Sequence, residues 1–382
     1  MTTMWKFHNP TRVHFGDEWL DKLASLLPPN CKKALLITGT RAAASTGAAQ
    51  RIRSALDKVQ ITEFTEIEPE PTQATVNRAR EVARRTRPDA IIALGGGSVL
   101  DAAKVVAATH RAKIDLAALM NRAIPVPHRE TVLIALPTTA GSGSEVTPFA
   151  VLTNAAGDKQ SLPSTEFYPD IAVVAPTLVT TCPQQVAGDA GIDALAHALE
   201  ALWSTQANPI SDELAYAAVA LVLHHLPVYY ADRTDAVAAS GMARAATLAG
   251  MAFSNTFTAA CHALSYPIGK RYSLSHGAAC GVTLHHVAQL NEPAIHPKFA
   301  ILAERLQLRD AAAVPQAVAA LRAHITTIPT LKQLAASDDD LRTISETYFV
   351  PLMNNNPVQM THSEIVQFLQ TLRDNGDTHG TS

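Results

Sequence analysis

The stretch AIIALGGGSVLDAAK, Ala90–Lys104, decides the fold of the first half of the chain. The apolar run Ala90–Leu94 is followed directly by glycines and a serine, and then by apolar residues at helical spacing. Glycines let the backbone approach an anion closely, and the free N–H groups at the start of a helix favour negative charge. The stretch therefore predicts a strand, a tight turn and a helix that can together hold a phosphate.

Apolar runs of strand length alternate with helical patterns through the rest of this half, which indicates βαβ units and a mostly parallel sheet. Thr72 stands at the N-cap position of a crossover helix that carries Val76, Ala79 and Val82 at helical spacing. We predict strands at Lys33–Thr38, Ile61–Ile67, Ala90–Leu94, Thr131–Leu136 and Ile171–Val174.

Beyond Pro183 the pattern becomes helical, with long segments rich in Ala and Leu and few strand signals. The predicted helices include Ala187–Trp203, Ser211–Leu226 and Thr234–Ala252. We therefore predict an α/β dinucleotide-binding domain over residues 1–182 and an all-α domain over residues 183–382.

Composition excludes several classes of function. The formal net charge is −3 and no run of Lys and Arg offers a track for a phosphate backbone, which argues against nucleic acid as a partner. We expect no signal peptide and no apolar run of membrane-spanning length, and thus a soluble cytoplasmic protein. The four cysteines form no CxxC pair, so we interpret Cys31, Cys182, Cys261 and Cys280 as reduced packing residues.

A second polar turn strengthens the interpretation of the first. PTTAGSGSEVT, Pro137–Thr147, again follows a predicted strand and is dense in hydroxyls and glycines. One glycine-rich turn alone can serve backbone geometry only. Two turns after parallel strands meet at the carboxyl edge of the sheet, where open α/β folds bind ligands, so a dinucleotide site is predicted there.

One aspartate and three histidines suggest a metal site. Asp193 and His197 are four residues apart and project from one face of a predicted helix, and His262 and His276 follow. An isolated pair of this kind is more often a surface or hydrogen-bonded pair. The apolar surroundings of this pair favour a site for a divalent ion, iron most of all or zinc, because unpaired burial is costly. The remaining histidines, including His224, His225, His285 and His286, are interpreted as surface or packing residues.

Taken together, the motifs resemble the iron-containing alcohol dehydrogenase family over nearly the whole chain. The resemblance rests on GGGSVLDAAK (95–104), PTTAGSGSEVT (137–147), GIDALAHALE (191–200) and HALSYPIGKRYSLSHG (262–277). It implies that Asp193, His197, His262 and His276 ligate the metal. It also implies that NAD(P) is lined by Gly39, Gly96, Gly97, Ser98, Asp101, Thr138, Thr139, Thr147, Lys159 and Leu178.

Three departures from the family pattern affect cofactor choice and proton transfer. Gly39 and Arg41 replace a carboxylate with a glycine and a nearby cation, which favours NADPH. Glu70 stands where relatives often have asparagine and could bond a ribose hydroxyl instead, so the prediction stays at NAD(P). Tyr266 stands where many relatives place a histidine assigned to proton transfer; it is interpreted either as a proton relay or as a packing aromatic.

The run around Lys270 and Arg271 resembles the branch of the family associated with phosphonate metabolism, which reduces phosphonoacetaldehyde to 2-hydroxyethylphosphonate. These cations suit a dianionic substrate, although they are equally typical of a solvated surface. Alternatives are a simple-alcohol or polyol dehydrogenase, a dehydroquinate-synthase-like cyclase, and a non-catalytic nucleotide-binding module. The resemblance also implies a homodimer or larger assembly.

Overall fold

The computed structural model describes residues 4–40 and 47–375. The chain divides into two compact units. One extends from His8 to Cys182, and the other comprises the residues from Pro183 onward together with the short segment that precedes His8.

The first unit is built on a parallel sheet of six strands in the order β1-β8-β5-β4-β2-β3. Two further strands, β6 and β7, form an antiparallel hairpin. The strands are β1 (Arg12–Phe15), β2 (Lys33–Gly39), β3 (Gln60–Ile67), β4 (Ala90–Gly95), β5 (Val132–Pro137), β6 (Phe149–Thr153), β7 (Lys159–Pro163) and β8 (Ile171–Val174).

Helices cover both faces of this sheet, since alternate strand residues enter two separate hydrophobic clusters. Leu35 and Ile37 of β2 pack with the helices that follow β3 and β4, while Ala34 and Leu36 pack on the opposite face. The helices are α1 (Glu18–Asp21), α2 (Ala48–Ala55), α3 (Gln73–Thr86), α4 (Gly97–Thr109) and α5 (Leu116–Met120).

All five predicted strands exist within one residue of the predicted bounds at each end. The Thr72 hydroxyl caps α3 as predicted and accepts from the Thr75 N–H. The edge strand β1 and the β6–β7 hairpin were not predicted. Their faces are mostly polar or half-exposed, so they lack the continuous apolar runs that mark the buried strands.

The second unit is helical over its described residues. Its helices are α6 (Gln184–Trp203), α7 (Pro209–Ala231), α8 (Ala236–Thr256), α9 (Ala260–Tyr272), α10 (His276–Arg305), α11 (Ala313–His324), α12 (Asp338–Thr347), α13 (Val350–Met353) and α14 (His362–Asn375). Polar side chains begin several of them, including the Asn208 capping box of α7 and the Ser275 hydroxyl at α10. The predicted fold class, α/β followed by helices, is confirmed.

The expectation about membrane-length segments needs a correction. By length and composition alone, α7 and α8 are apolar enough to cross a membrane. Of their most apolar windows, 44% and 67% are buried inside the protein, and core helices of soluble proteins meet the same criterion. The apolar faces of both helices pack against neighbouring helices of the unit, which explains their composition.

Candidate active site

The polar turns lie side by side at the carboxyl edge of the sheet. Gly95 at the end of β4 is paired with Pro137 at the end of β5, and Thr138 N–H donates to the Gly95 carbonyl at 3.0 Å. On the other side of β4, Thr38 is paired with Leu94, which brings Gly39 to the same edge. The sheet order therefore brings together three loops that are far apart in sequence.

Glycine is favoured in the turn between β4 and α4 because side chains of the neighbouring turn approach it closely. A Cβ added at Gly97 would lie 2.8 Å from the Ser142 Oγ, and one at Gly96 would lie 3.2 Å from the Thr139 Oγ1. Helix α4 starts at Gly97, so its first N–H groups are available to an anion at this point. The turn thus forms a cradle of backbone between two hydroxyl-bearing side chains.

Three of the residues expected at the nucleotide have partners within the protein. Asp101 accepts from the Ser144 hydroxyl at 2.6 Å and from the Val151 N–H at 2.8 Å. Thr147 Oγ1 accepts from the buried ammonium of Lys104 at 3.1 Å, and that ammonium also donates to the Phe149 carbonyl. Leu178 is buried in the apolar cluster below the sheet. Asp101 and Thr147 therefore stabilise the 138–151 segment, and Leu178 packs against the sheet.

Lys104 has an unusual electrostatic setting. Burial lowers the pKa of its ammonium to about 8, although Asp101 and Glu145 act in the opposite direction. Burial likewise raises the pKa of Asp101, which Lys104 offsets in part. The 3.6 Å pair of Lys104 and Asp101 is therefore a tightly coupled buried pair beneath the glycine turn.

Lys159 and Glu70, at the rim of the same edge, are paired with each other. Their charged atoms, Nζ and Oε1, are 2.6 Å apart, and the Glu70 N–H donates to the Ser98 hydroxyl at 3.2 Å. A Cβ at Gly39 would lie 3.0 Å from the Ile67 carbonyl oxygen, so the glycine is also needed for packing. Arg41, expected to favour NADPH, lies outside the described residues.

The second cluster lies within the helical unit. Asp193 and His197 are one turn apart on α6, His262 lies near the start of α9, and His276 is the first residue of α10. From the Asp193 Oδ1, the Nε2 atoms of His262 and His276 are 3.6 and 3.7 Å away. The Nε2 atoms of His197 and His262 are 3.1 Å apart. The structure therefore brings together the four residues named from the sequence.

Glu200, which the sequence analysis did not single out, organises this cluster. Its side chain is fully buried and its Oε2 lies 2.5 Å from the Nδ1 of His262. It also accepts hydrogen bonds from the backbone N–H groups of Ala259, Cys261 and His262. Glu200 thus satisfies the free N–H groups at the start of α9, where no N-cap side chain does so. Its spacing from Asp193 and His197 continues one helix face, and this is the signal that would have identified it.

His276 is positioned by the residues around the start of α10. Asp189 accepts from the Ser275 hydroxyl at 2.5 Å and from the Thr327 hydroxyl at 2.9 Å, which fixes the turn that precedes His276. At Gly277 an added Cβ would lie only 2.0 Å from the Asp189 carbonyl oxygen. Glycine at this position is what allows α10 to approach α6 closely.

Cys280 also enters the cluster. One donor atom from each of Asp193, His262, His276 and Cys280 lies within 4.8 Å of the others, the one group of this kind among the described residues. Cys280 is fully buried and one helical turn after His276. Cys280 was predicted to be a packing residue, although the four-residue spacing that marks Asp193 and His197 is also found between His276 and Cys280.

The charges in this cluster follow from burial and neighbours. Burial lowers the pKa of His197 to about 4, so this imidazole is neutral at pH 7. Burial alone would raise the pKa of Asp193, but His197 and His276 hold it below its ordinary value. Burial also opposes protonation of His262, yet Cys280 and Glu200 hold the pKa of His262 well above its usual range. The cluster combines an ionised carboxylate with nitrogen donors.

These residues fit a divalent metal. Among buried side-chain atoms, Asp193 Oδ1 and His197 Nδ1 have no hydrogen-bond partner, a costly arrangement that a cation would compensate. Because Glu200 accepts a hydrogen bond from the Nδ1 of His262, Nε2 is the ring nitrogen that faces Asp193, and it can bind a cation once the cation has displaced its proton. Tetrahedral oxygen and nitrogen donors around zinc or iron are roughly 3.3 to 3.6 Å apart, close to the measured separations.

The three residues proposed to contact substrate lie on α9. The ring of Tyr266 is 6.2 Å from the ring of His276 and 5.8 Å from that of Phe349. Lys270 is exposed. Arg271, also exposed, has a partner that the sequence did not reveal, since its Nε lies 2.5 Å from the Asp340 Oδ1 at the start of α12.

Comparison of the sequence with known protein families identifies the family of this chain. The sequence model of the iron-containing alcohol dehydrogenases matches residues 10–176, and the model of that family's C-terminal domain matches residues 187–372. The chain belongs to the iron-containing alcohol dehydrogenase family. The predicted family is therefore confirmed, and so is the α/β-plus-helical fold.

Several relatives illustrate the range of this family. The chain is 32% identical to an NADPH-dependent butanol dehydrogenase of Clostridium saccharobutylicum over 80% of this chain and 79% of that protein. An aldehyde-alcohol dehydrogenase of Streptococcus pneumoniae is 37% identical over 74% of this chain. The aligned part is only 33% of that longer protein, so the chain spans about a third of several curated relatives it matches.

Among solved structures, a sulfoacetaldehyde reductase of Bifidobacterium kashiwanohense, determined in complex with NAD+, has a TM-score of 0.93 with 30% identity. The match covers 98% of this chain and all of the other. The likeness therefore includes both units and is not limited to the α/β half.

Proposed function

We propose that this protein is a metal-dependent, NAD(P)-linked alcohol dehydrogenase or aldehyde reductase. The observation that carries the proposal is the buried Asp193 carboxylate, whose Oδ1 lacks a hydrogen-bond partner and faces the imidazoles of His262 and His276. A non-catalytic nucleotide-binding module would not need such a costly arrangement. The conformity of both halves to a dehydrogenase family argues against a cyclase.

In this proposal Asp193, His197, His262 and His276 hold a divalent metal, iron most of all or zinc. The glycine turn, with Gly96, Gly97 and Ser98, holds the pyrophosphate of the nucleotide, and Thr138, Thr139 and Lys159 lie along the same sheet edge. When bound, the metal supplies Lewis acidity toward the substrate oxygen and the nicotinamide ring donates or accepts the hydride.

The chain's own residues position these groups and manage the proton. Glu200 orients His262, and Asp189 with Ser275 orients His276, so that little reorganisation is needed during the reaction. Tyr266 lies next to His276 and is the proposed donor of the proton that completes the alcohol. A Tyr266→Phe variant should lose turnover while it keeps its metal, and unchanged turnover would assign the ring to packing.

For the substrate we propose a small aldehyde with an anionic tail, such as phosphonoacetaldehyde. The likeness to a sulfoacetaldehyde reductase supports an anion, because a sulfonate and a phosphonate present the same tetrahedral oxygens. Lys270 and Arg271 are the proposed partners of that tail, with Arg271 exchanging Asp340 for the substrate. The likeness to a butanol dehydrogenase favours the second candidate, a dehydrogenase of simple alcohols.

The deciding experiment compares phosphonoacetaldehyde, sulfoacetaldehyde and butanal with the metal-loaded enzyme, following NAD(P)H absorbance. We expect kcat/KM for the anions to exceed that for butanal, and a Lys270→Ala, Arg271→Ala double variant to lose that preference by about tenfold or more. Arg342→Ala, which removes another exposed arginine paired with an aspartate, is the matched control. If the parent has equal kcat/KM values for butanal and for the anions, the second candidate, a dehydrogenase of simple alcohols, is supported.

Cofactor preference has its own test. We propose NAD(P), with a bias toward NADPH from Arg41. Because Gly39→Asp would crowd the Ile67 carbonyl, the cleaner variant is Arg41→Ala, with Gly39→Ala as a control for packing. A lower NADPH/NADH ratio of kcat/KM in Arg41→Ala alone supports the bias, and an unchanged ratio means that the 2′-phosphate is recognised elsewhere.

We further propose that the enzyme is a soluble cytoplasmic homodimer or larger homo-oligomer, without nucleic-acid or membrane partners. The low net charge and the absence of a basic run argue against a nucleic-acid partner, and the expectation of an oligomer rests on the family resemblance.

A further inference from the structure

The metal cluster contains a sulfur atom in addition to its carboxylate and imidazoles. Cys280 lies one turn after His276 on α10, so both side chains project from one face of that helix. Its thiol is fully buried and interacts with the His262 imidazole. It belongs to the same group of mutually close donors as Asp193, His262 and His276.

Two glycines explain how Cys280 reaches this position. Gly277 and Gly281 face α6 from α10: an added Cβ would lie 2.0 Å from the Asp189 carbonyl oxygen at the first and 2.8 Å from the Ile192 Cγ2 at the second. The two helices therefore approach closely along the stretch that carries Asp193, backbone to backbone at Gly277 and backbone to side chain at Gly281. Cys280 lies between these glycines, and its sulfur is within 4.8 Å of a carboxylate oxygen of Asp193.

His197 occupies a different position in the cluster. Its ring stacks on Phe253 with centroids 4.1 Å apart, and its Nδ1 is 3.9 Å from the Asp193 Oδ2. It approaches the remaining donors through His262, at 3.1 Å. His197 is outside the mutually close group of four, whereas Cys280 is inside it.

We propose that Cys280 is a metal donor in this protein, so that the site binds its cation through carboxylate, imidazole and thiolate together. On binding, the thiol gives up its proton to solvent and the sulfur lone pair forms the bond to the metal, with no change in oxidation state. A thiolate shifts preference away from hard cations such as magnesium and manganese and toward zinc, iron(II) and cobalt(II).

This inference rests on the proposed metal site but not on the proposed substrate. The experiment loads the purified full-length protein with cobalt(II), whose absorbance reports two things at once. Ligand-field bands in the visible show that the site is occupied, and a thiolate-to-cobalt charge-transfer band in the near ultraviolet shows sulfur coordination. If the parent protein shows neither band, the metal site is contradicted. If the parent shows the visible bands without the charge-transfer band, only the role of Cys280 is contradicted.

We expect the parent to show both bands, and Cys280→Ser to keep the visible bands with the charge-transfer band gone. The control is Cys182→Ser, which removes a half-buried thiol that is not in the group of donors. The control should keep both bands. A parent spectrum without the charge-transfer band, or a Cys280→Ser spectrum that retains it, overturns the proposal.

Metal affinity gives a second readout that does not depend on spectroscopy or on activity. In competition with a chromophoric chelator, Cys280→Ser should bind zinc at least about tenfold more weakly than the parent, while manganese binding changes little. Equal losses for both metals would mean that the substitution disturbed packing, and would contradict a sulfur donor. Circular dichroism of each variant establishes that the helices remain folded.

Discussion

The two clusters differ in how their polar groups are satisfied. At the sheet edge, the polar side chains largely satisfy one another: Asp101 bonds Ser144 and Val151, and Lys159 pairs with Glu70. In the helical unit, buried atoms of Asp193 and His197 have no hydrogen-bond partner. In the proposed function, the first region therefore binds its ligand through backbone held in place by side chains, whereas the second binds its ligand through the side chains themselves.

The largest effect should follow from removing a donor in the helical unit. His276→Ala should lower metal affinity, and dehydrogenase activity with it, by about a hundredfold or more, because it removes one of the proposed ligands beside Asp193. Metal content by mass spectrometry and NAD(P)H absorbance measure the two losses. His296→Ala, on the same helix but paired with Glu292 at the surface, is the control. Full activity of His276→Ala after chelation and dialysis would contradict the assignment.

A smaller effect is expected from the sheet edge, where the ligand meets backbone. Gly97→Ala should weaken NAD(P)H binding by about tenfold, since its Cβ would lie 2.8 Å from the Ser142 Oγ, while metal content stays unchanged. Nucleotide affinity can be followed by quenching of protein fluorescence. Adding Ser142→Gly removes the contact and should restore part of the affinity; no recovery would point to the Cβ blocking the phosphate directly.

The third effect is on stability and not on ligand binding, and it concerns the buried pair of Lys104 and Asp101. Burial lowers the pKa of Lys104 from an ordinary 10.5 to about 8 in the folded protein. Between these values the unfolded chain binds a proton that the folded one has released, so the free energy of unfolding should rise with pH, by up to about 3 kcal/mol. Urea unfolding of parent and Lys104→Met should show this rise in the parent only. Lys113→Met, at an exposed lysine, should behave as the parent. If the free energy of unfolding rises equally with pH in Lys104→Met, the Lys104 ammonium is not the cause of the rise.

The sequence predicted most where one residue type has one physical use. The buried strands were located because both of their faces are apolar, and Asp193 and His197 were singled out by helical spacing and burial cost. His262 and His276 joined them because they follow in a compact stretch, and the family resemblance implied the set of four as ligands. The ion pairs between charged side chains could not be predicted in this way. That Arg271 meets Asp340 and that Lys159 meets Glu70 depends on packing between elements distant in sequence.

Glu200 and Cys280 were missed for a different reason. Both lie at helical spacing from predicted ligands, but a glutamate on a helix is ordinarily solvated and a buried cysteine ordinarily packs. Their roles become visible only when α9 and α10 are placed against α6, as at the 2.5 Å contact between Glu200 and His262.

Glu200 has a consequence for anyone who would transplant this centre into a designed helical bundle. One carboxylate both begins α9, through the N–H groups of Ala259 and Cys261 at 2.8 and 2.6 Å, and orients the ring of His262. A graft that copied the ligands alone would leave that helix start unsatisfied and the ring free to rotate. Aspartate, one methylene shorter, could not reach both tasks from the same backbone. The smallest portable unit is therefore the ligand set together with Glu200 and the first turn of α9.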